Sequence, residues 1–302
     1  MSDEVLPAAR PERPQLAALP SPPAARRLCV CVDDYGLHSG IDGAALRLAD
    51  MHRVHAISCL VGGKSWGVSS RSLRRFNPGG IDIGLHLDFT EAPLFGASRR
   101  SLPELIVASH LRLLDRRLVR AEIRAQLDAF EQAMGRGPAF VDGHQHVHQL
   151  PMVRSELLAE LQARRGGMPP WIRSTRAPRA RRSASTTSPG RFKPSVIEGL
   201  GARGLAAAAS SLGYPQNQYL LGVYDFQGGR SRYRELLAGW LLSASDGDLL
   251  MCHPSLATRD ADLLIDAREA EFDVLSGAEF DADLRAAEVQ LGPMSQMLVP
   301  RI

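Results

Sequence analysis

What most constrains this chain is where its polar clusters fall, because each follows a short, continuous apolar run. Leu28-Cys29-Val30-Cys31-Val32 runs into Asp33-Asp34-Tyr35-Gly36, and the run 81–87 carries His86 near its end. Ala139-Phe140-Val141 leads into Asp142-Gly143-His144-Gln145-His146-Val147-His148, and Leu249-Leu250-Met251-Cys252 ends at His253. Uninterrupted apolar runs of this length read as strands buried on both faces, the pattern of a parallel sheet covered by helices. Helical periodicity separates the runs. Ile41, Ala44, Ala45, Leu48 and Ala49 recur after a Ser39 cap, and Leu118, Ile123, Leu127 and Phe130 line one face between about residues 117 and 134. In parallel α/β folds the site gathers at the carboxyl ends of the strands. Four clusters that obey this rule predict an α/β chain, with a barrel-like arrangement favoured over an open sheet.

Further elements support the alternation. Residues 54–61 form an apolar run closed by Gly62-Gly63, Pro151 suits the first position of a helix reaching Ala163, and 171–173 looks like a strand end. Helices are expected near 196–212 and 233–243. Residues 1–26, rich in Pro and Ala, read as a disordered extension, leaving 27–302 as a single domain. A stretch at 174–194, with Arg, Pro, Ser and Thr but no periodicity, reads as a mobile Arg-rich loop. Its cluster Arg173, Arg176, Arg179, Arg181, Arg182, Arg191 and Lys193 contains no acid, yet no aromatics are interleaved and the net charge is only +3. A solvated lid, and no nucleic-acid partner, is the expectation. No leader-like start and no run of about 18 apolar residues is present, so no transmembrane segment is expected. The four cysteines form no C-x-x-C pair and read as small buried residues of a cytoplasmic protein. A homodimer is left open.

The clusters point to metal chemistry. Adjacent carboxylates at a strand end repel one another near low-dielectric walls unless a cation or proton intervenes, so one of Asp33 and Asp34 could bind a metal while the other acts as a base. His86 shares a face with Gly84, which leaves space there. Three of the nine histidines fall between 144 and 148 and would share one face of an extended segment. Neutral imidazole is the commonest metal ligand, and some of the three could serve as supporting or substrate-facing groups. His253, before Pro254, is a candidate acid, and Arg173 and Arg176 could orient a carboxylate or hydrogen-bond a sugar. On residues alone, this is a metal hydrolase with every ligand open.

Val32-Asp33-Asp34-Tyr35-Gly36-Leu37, Gly84-Leu85-His86-Leu87, the 142–148 segment and Cys252-His253-Pro254 together resemble the motifs of the YdjC-like (ChbG/HpnK) carbohydrate deacetylases, in order and spacing. The resemblance spans roughly residues 28–280. It implies a deformed (β/α) barrel of the glycoside hydrolase/deacetylase type with parallel strands, and removal of an acetyl group from an N-acetylated sugar, oligosaccharide or glycolipid. It further implies one divalent metal ion (Mg2+ or Zn2+) on Asp34, His86 and His144, with Asp33 as catalytic base and His253 as acid. His146, His148, Arg173 and Asp142 become substrate-binding or supporting groups. Tyr35, Gly143, Gln145 and Ser255 depart from the usual pattern, where Phe, Ser, His and Gly are common, and leave the substrate undecided. Another metal-dependent amidohydrolase or phosphoesterase would use the same ligands, and a non-catalytic protein could bind an anionic ligand through the Arg-rich loop.

Overall fold

The computed structural model describes residues 25–76, 78–164, 166–178 and 197–299. Residues 1–24 of the expected extension, and 179–194 of the expected Arg-rich loop, lie outside them. In chain order the elements are β1 (Arg26–Tyr35), α1 (Ser39–Asp50), β2 (Ala56–Cys59), α2 (Trp66–Leu73), β3 (Asp82–Leu87), α3 (Leu102–His110), α4 (Arg116–Met134), β4 (Phe140–Gly143), α5 (Pro151–Ala163) and β5 (Trp171–Ile172). Then come α6 (Arg203–Ser211), β6 (Leu220–Leu221), α7 (Gly229–Ser243), β7 (Asp248–Cys252), α8 (Ile265–Ser276), α9 (Glu279–Ala286), β8 (Val289–Leu291) and α10 (Met294–Met297).

The strands lie in the order β5-β4-β3-β2-β1-β7-β6, every named pairing is parallel, and β8 pairs with the start of β1. The two ends of this order meet. Ile172 forms a parallel bridge with Gln216, and Leu220 N–H donates to Arg176 O at 2.9 Å. The sheet therefore curls into the deformed barrel that the sequence led us to expect.

Alternation along the strands sorts side chains into two cores. Leu28, Val30 and Val32 of β1 face the helices, in a large core with Leu48 of α1 and Ile123, Leu127 and Phe130 of α4. Cys29 and Cys31 face the barrel interior with Ala56, Phe140, Trp171, Leu249 and Met251, and Met294 and Met297 of α10 join them. The Phe140 and Trp171 rings stack there at 4.2 Å between centroids. All four cysteines are buried free thiols. At the amino-terminal ends of the strands, Asp82 accepts hydrogen bonds from Trp171 Nε1 (3.0 Å), Ser295 N (2.8 Å) and Ser295 Oγ (2.5 Å), which pins α10 to the barrel floor.

Helix ends follow local chemistry. The Asp115 carboxylate accepts from Arg117 N at 2.8 Å to start α4, and Gly135, left-handed at φ 70°, ends it. The cap of α1 is His38 rather than the expected Ser39, its ring accepting from Ile41 N. The helix expected near 196–212 opens with a π-helical turn, Glu198–Ala202, in which Gly201, at φ 146°, interrupts the path before the regular α6. At the front of the Arg-rich stretch, Ser174 and Thr175 are buried, with Ser174 N bonded to Asn217 Oδ1 at 2.7 Å. No helix among the described residues is long and apolar enough to cross a membrane.

Candidate active site

The interior alternation explains how the site is assembled. Two residues beyond Cys31, Ala56, Gly84, Phe140, Trp171 and Met251 stand Asp33, Ser58, His86, Asp142, Arg173 and His253. A side chain two positions on emerges on the same face of a strand, so six strands end in one polar layer directly above the apolar interior. Asp33, His86, Asp142, Arg173 and Ser58 are each no more than 2% exposed.

Adjacent residues of a regular strand point to opposite faces, so Asp33 and Asp34 could not both turn inward along an unbroken β1. The register between β1 and β2 shifts between Val32 and Tyr35, and Asp34 sits in the left-handed region at φ 66°. Such a bulge re-aims a side chain at a site, at some cost in backbone strain for a residue with a Cβ. Asp34 Oδ1 then lies 2.8 Å from His144 Nδ1 and 3.4 Å from His86 Nε2. Its other oxygen, Oδ2, accepts from Arg268 Nη2 at 2.7 Å.

His86 stands opposite Asp142 in the β3–β4 register, and its Nδ1–H donates to Asp142 Oδ1 at 2.7 Å. Ser58 Oγ donates to the same oxygen at 2.5 Å. In the neutral ring this contact keeps the proton on Nδ1 and leaves Nε2 facing Asp34, the arrangement in which a second carboxylate orients a metal-binding imidazole. Burial pulls His86 towards neutrality, but Asp142 and Asp33 outweigh it and hold the ring up to about 10. Burial likewise opposes a charged His144, and Asp34 raises it.

Arg173, with no exposed surface, forks onto Asp33: Nη1 to Oδ2 and Nη2 to Oδ1, both 2.6 Å. Nη2 also lies 2.5 Å from Asp142 Oδ2 and 3.1 Å from Cys31 Sγ. Burial alone would raise Asp33; the guanidinium, with help from His86 and His253, reverses that and keeps the carboxyl below its usual range. Asp33 is thus an ionised, rigidly aimed carboxylate. His253 Nε2 lies 3.8 Å from Asp33 Oδ2, and burial pushes this ring down to about 4. His144 and His253 are each 14% exposed. These two rings are the more exposed members of the layer.

Two expectations need correction. The three histidines between 144 and 148 do not share a face, because the segment is a tight 3-10 turn broken by Gln145 (φ 51°) and His146 (φ 60°) rather than a strand. His144 reaches Asp34. His148 turns into the interior, where Nε2–H donates to Arg173 O at 3.0 Å and burial holds the ring down to about 4. His146 is buried and held well below its ordinary value by burial and by Arg173. A Cβ on Gly143 would come 2.9 Å from His148 N, so this tight turn favours glycine where serine was the common residue. The room beside Gly84 is not open either: the Phe140 ring fills it, 2.5 Å from where a Cβ would stand. Arg173, expected to orient a carboxylate or meet a sugar, does the former and is sealed from substrate. Arg176 lies apart, bonded to Ser174 Oγ and Gln218 O and set over the Tyr219 ring.

Sequence reasoning missed Ser58, Arg268 and Glu271. Ser58 obeys the two-residue rule after Ala56 and could have been found by it. Arg268 and Glu271 sit on α8 without a local signal. Among the described residues, Asp34, His86 and His144 offer three ligand atoms within 4.8 Å of one another. The second such group, Cys31, Asp33 and Asp142, already surrounds the Arg173 guanidinium.

The family model for YdjC-like protein matches residues 27–286. A Homo sapiens protein named carbohydrate deacetylase is 32% identical over 150 residues, covering 45% of this chain and 46% of the relative. Its Mus musculus namesake is 32% identical over 153 residues, covering 45% and 47%. The match spans about half the length of these curated relatives. A proposed cellobiose-phosphate cleavage protein from Enterococcus faecalis V583 has a TM-score of 0.66 at 18% identity, over 91% of this chain and 100% of that one. A peptidoglycan N-acetylglucosamine deacetylase has a TM-score of 0.50 at 10% identity, over 91% and 89%. At such identities the likeness speaks for the fold.

Proposed function

Because this chain belongs to the YdjC-like protein family, we propose that it is a metal-dependent carbohydrate deacetylase, hydrolysing the acetamide of an N-acetylated amino sugar to acetate and a free amine. The observation that carries this reading is the meeting of Asp34 Oδ1, His86 Nε2 and His144 Nδ1 beside an ionised, Arg-held carboxylate. The names of the human and mouse relatives support it.

The donor set suits a divalent ion. One carboxylate oxygen and two imidazole nitrogens, with one imidazole fixed by a carboxylate behind it, match three-ligand catalytic zinc sites and also admit Mg2+. Held by Asp34, His86 and His144, such an ion would lower the pKa of a bound water and polarise the amide carbonyl. Asp33, locked by Arg173, is oriented to take the proton of the attacking water. His253 is neutral at rest, so it must gain a proton during turnover before it can protonate the departing amine. Asp33 Oδ2, at 3.8 Å, is the nearby carboxylate, and the proton it takes from water would reach His253 through one bridging water. The Asp142–Ser58 pair and the His148–Arg173 contact keep these groups aligned. The sugar ring would enter over the partly exposed edges of His144 and His253. Four buried free thiols support a reducing, cytoplasmic setting.

The test is acetate release from N-acetylglucosamine oligosaccharides and glycolipids, alongside phosphate esters as controls. Activity should vanish with chelator, return with metal, and be lost in His144→Ala. Full activity in a metal-free His144→Ala protein would overturn the proposal, as would phosphate release in place of acetate.

A further inference from the structure

Helix α8 runs behind the site and carries two buried charged side chains, Arg268 and Glu271, outside the ligand set and proton path above. The Arg268 fork reaches three groups. Nη2 donates to Asp34 Oδ2 at 2.7 Å, Nη1 to the His253 carbonyl at 3.4 Å, and Nε lies 2.8 Å from Asp262 Oδ2. Asp262 is in turn 3.1 Å from His38 Nε2, at the cap of α1. One turn further along α8, Glu271 Oε2 accepts the His253 N–H at 2.5 Å and Oε1 accepts the Tyr224 hydroxyl at 2.7 Å. Ser255 N also donates to the Arg268 carbonyl at 3.1 Å. A single helix thus grips both backbone groups of His253 and the far oxygen of Asp34.

With Oδ2 committed to a guanidinium, only Oδ1 of Asp34 is left facing the two imidazoles. A fixed positive charge against a ligand also opposes a cation, so Arg268 is poorly explained as a device for metal affinity. We propose that Arg268 is a positioning residue that confines Asp34 to one-oxygen metal binding and ties it to the turn bearing His253. In this way α8 sets the spacing between metal and proton carrier. This rests on the metal reading above. Lysine could not replace it, because a point charge cannot span Asp34, Asp262 and the His253 carbonyl as a planar fork does.

The experiment compares wild type, Arg268→Lys and Arg268→Met by equilibrium dialysis with Zn2+ alone, by kinetics on an N-acetylglucosamine oligosaccharide, and by thermal melting. Arg268→Met should bind Zn2+ about 10-fold more tightly, since a repelling charge is gone. Its kcat should nevertheless fall about 100-fold with KM little changed, the scale expected of a misplacement near 1 Å. Arg268→Lys should keep Zn2+ affinity within about 3-fold while kcat falls about 10-fold, separating charge from geometry. Wild-type kcat in Arg268→Lys would overturn the proposal. So would an Arg268→Met that loses Zn2+ affinity in step with its melting temperature, the mark of a purely structural residue. Should Arg268→Met fail to fold, the Lys variant decides alone. Wild type that takes up neither Zn2+ nor, in a parallel dialysis, Mg2+ overturns the metal reading and this proposal together, whereas normal uptake with an indifferent Arg268→Lys overturns only the role of Arg268.

Discussion

Both ends of the barrel bury aspartates, and they treat them in opposite ways. At the amino-terminal end, Asp82 and Asp248 are 1% exposed and held by hydrogen bonds from Trp171, Ser295, Ser245 and Tyr219, with no ion pair to either among the described residues. Burial raises both, Asp248 to about 6. At the carboxyl end, Asp33 and Asp34 are equally buried, yet Arg173, Arg268 and the histidines overcome the same desolvation and lower both. A buried ion pair is weak evidence for stability, because desolvation consumes much of its Coulomb gain. Keeping such charges inside one end of the barrel and only hydrogen-bond acceptors inside the other marks the first as the end that does chemistry.

The comparison breaks hardest at Arg173. Arg173→Met strips the buried Asp33 of its guanidinium fork and leaves Asp142 with only His86, and should cost about 3–5 kcal/mol in denaturant unfolding. The sign with pH follows. A carboxyl lowered in the fold adds stability above its unfolded value, near 3.9, and loses it as pH falls through the folded value. Without Arg173 the folded value rises, so acid unfolding should begin at higher pH. A change under about 1 kcal/mol would mean that the guanidinium does not hold this end together.

Asp142→Asn tests the tautomer lock more gently. Its amide can face either His86 or Arg173 correctly, not both, so metal affinity or activity should fall about 10–100-fold, the usual cost of losing a group that orients a ligand. Dialysis and acetate-release rates would show it, and an unchanged affinity would remove Asp142 from the metal's support.

Asp82→Asn carries the smallest effect. Its carbonyl can accept from Trp171 and Ser295 N while its amide donates to Ser295 Oγ, so kcat should hold within about 2-fold and stability within about 1 kcal/mol. A carboxyl raised in the fold binds more protons there than when unfolded, so its contribution falls as pH climbs from its unfolded to its folded value. The melting temperature of Asp82→Asn relative to wild type should therefore improve as pH rises from about 4. A relative loss would mean that Asp82 is held ionised like the aspartates at the other end.

Much of the barrel was legible because buried parallel strands write their alternation plainly. β1, β7 and α5 stand where the residue pattern put them, and Asp33, His86 and His253 follow from strand ends. Short elements were not legible: β6 and β8, at two and three residues, are too brief to show a period. The histidine cluster misled because three histidines at alternate positions look alike in a strand and in a tight turn. Only backbone angles at Gln145 and His146 separate His144, at the mouth, from His148, in the interior.

By itself the sequence determined the parallel α/β plan, the strand ends that carry chemistry, and the list from which ligands could be drawn. These depend on periodicity and residue type, which are local properties of the chain. The tertiary structure decided the division of labour between Asp33 and Asp34. That division rests on a bulge at Asp34 and on Arg173 and Arg268, which lie 140 and 234 residues further along the chain from the aspartates they hold. Charge compensation inside a protein is set by distance in space, and no spacing along the chain records it.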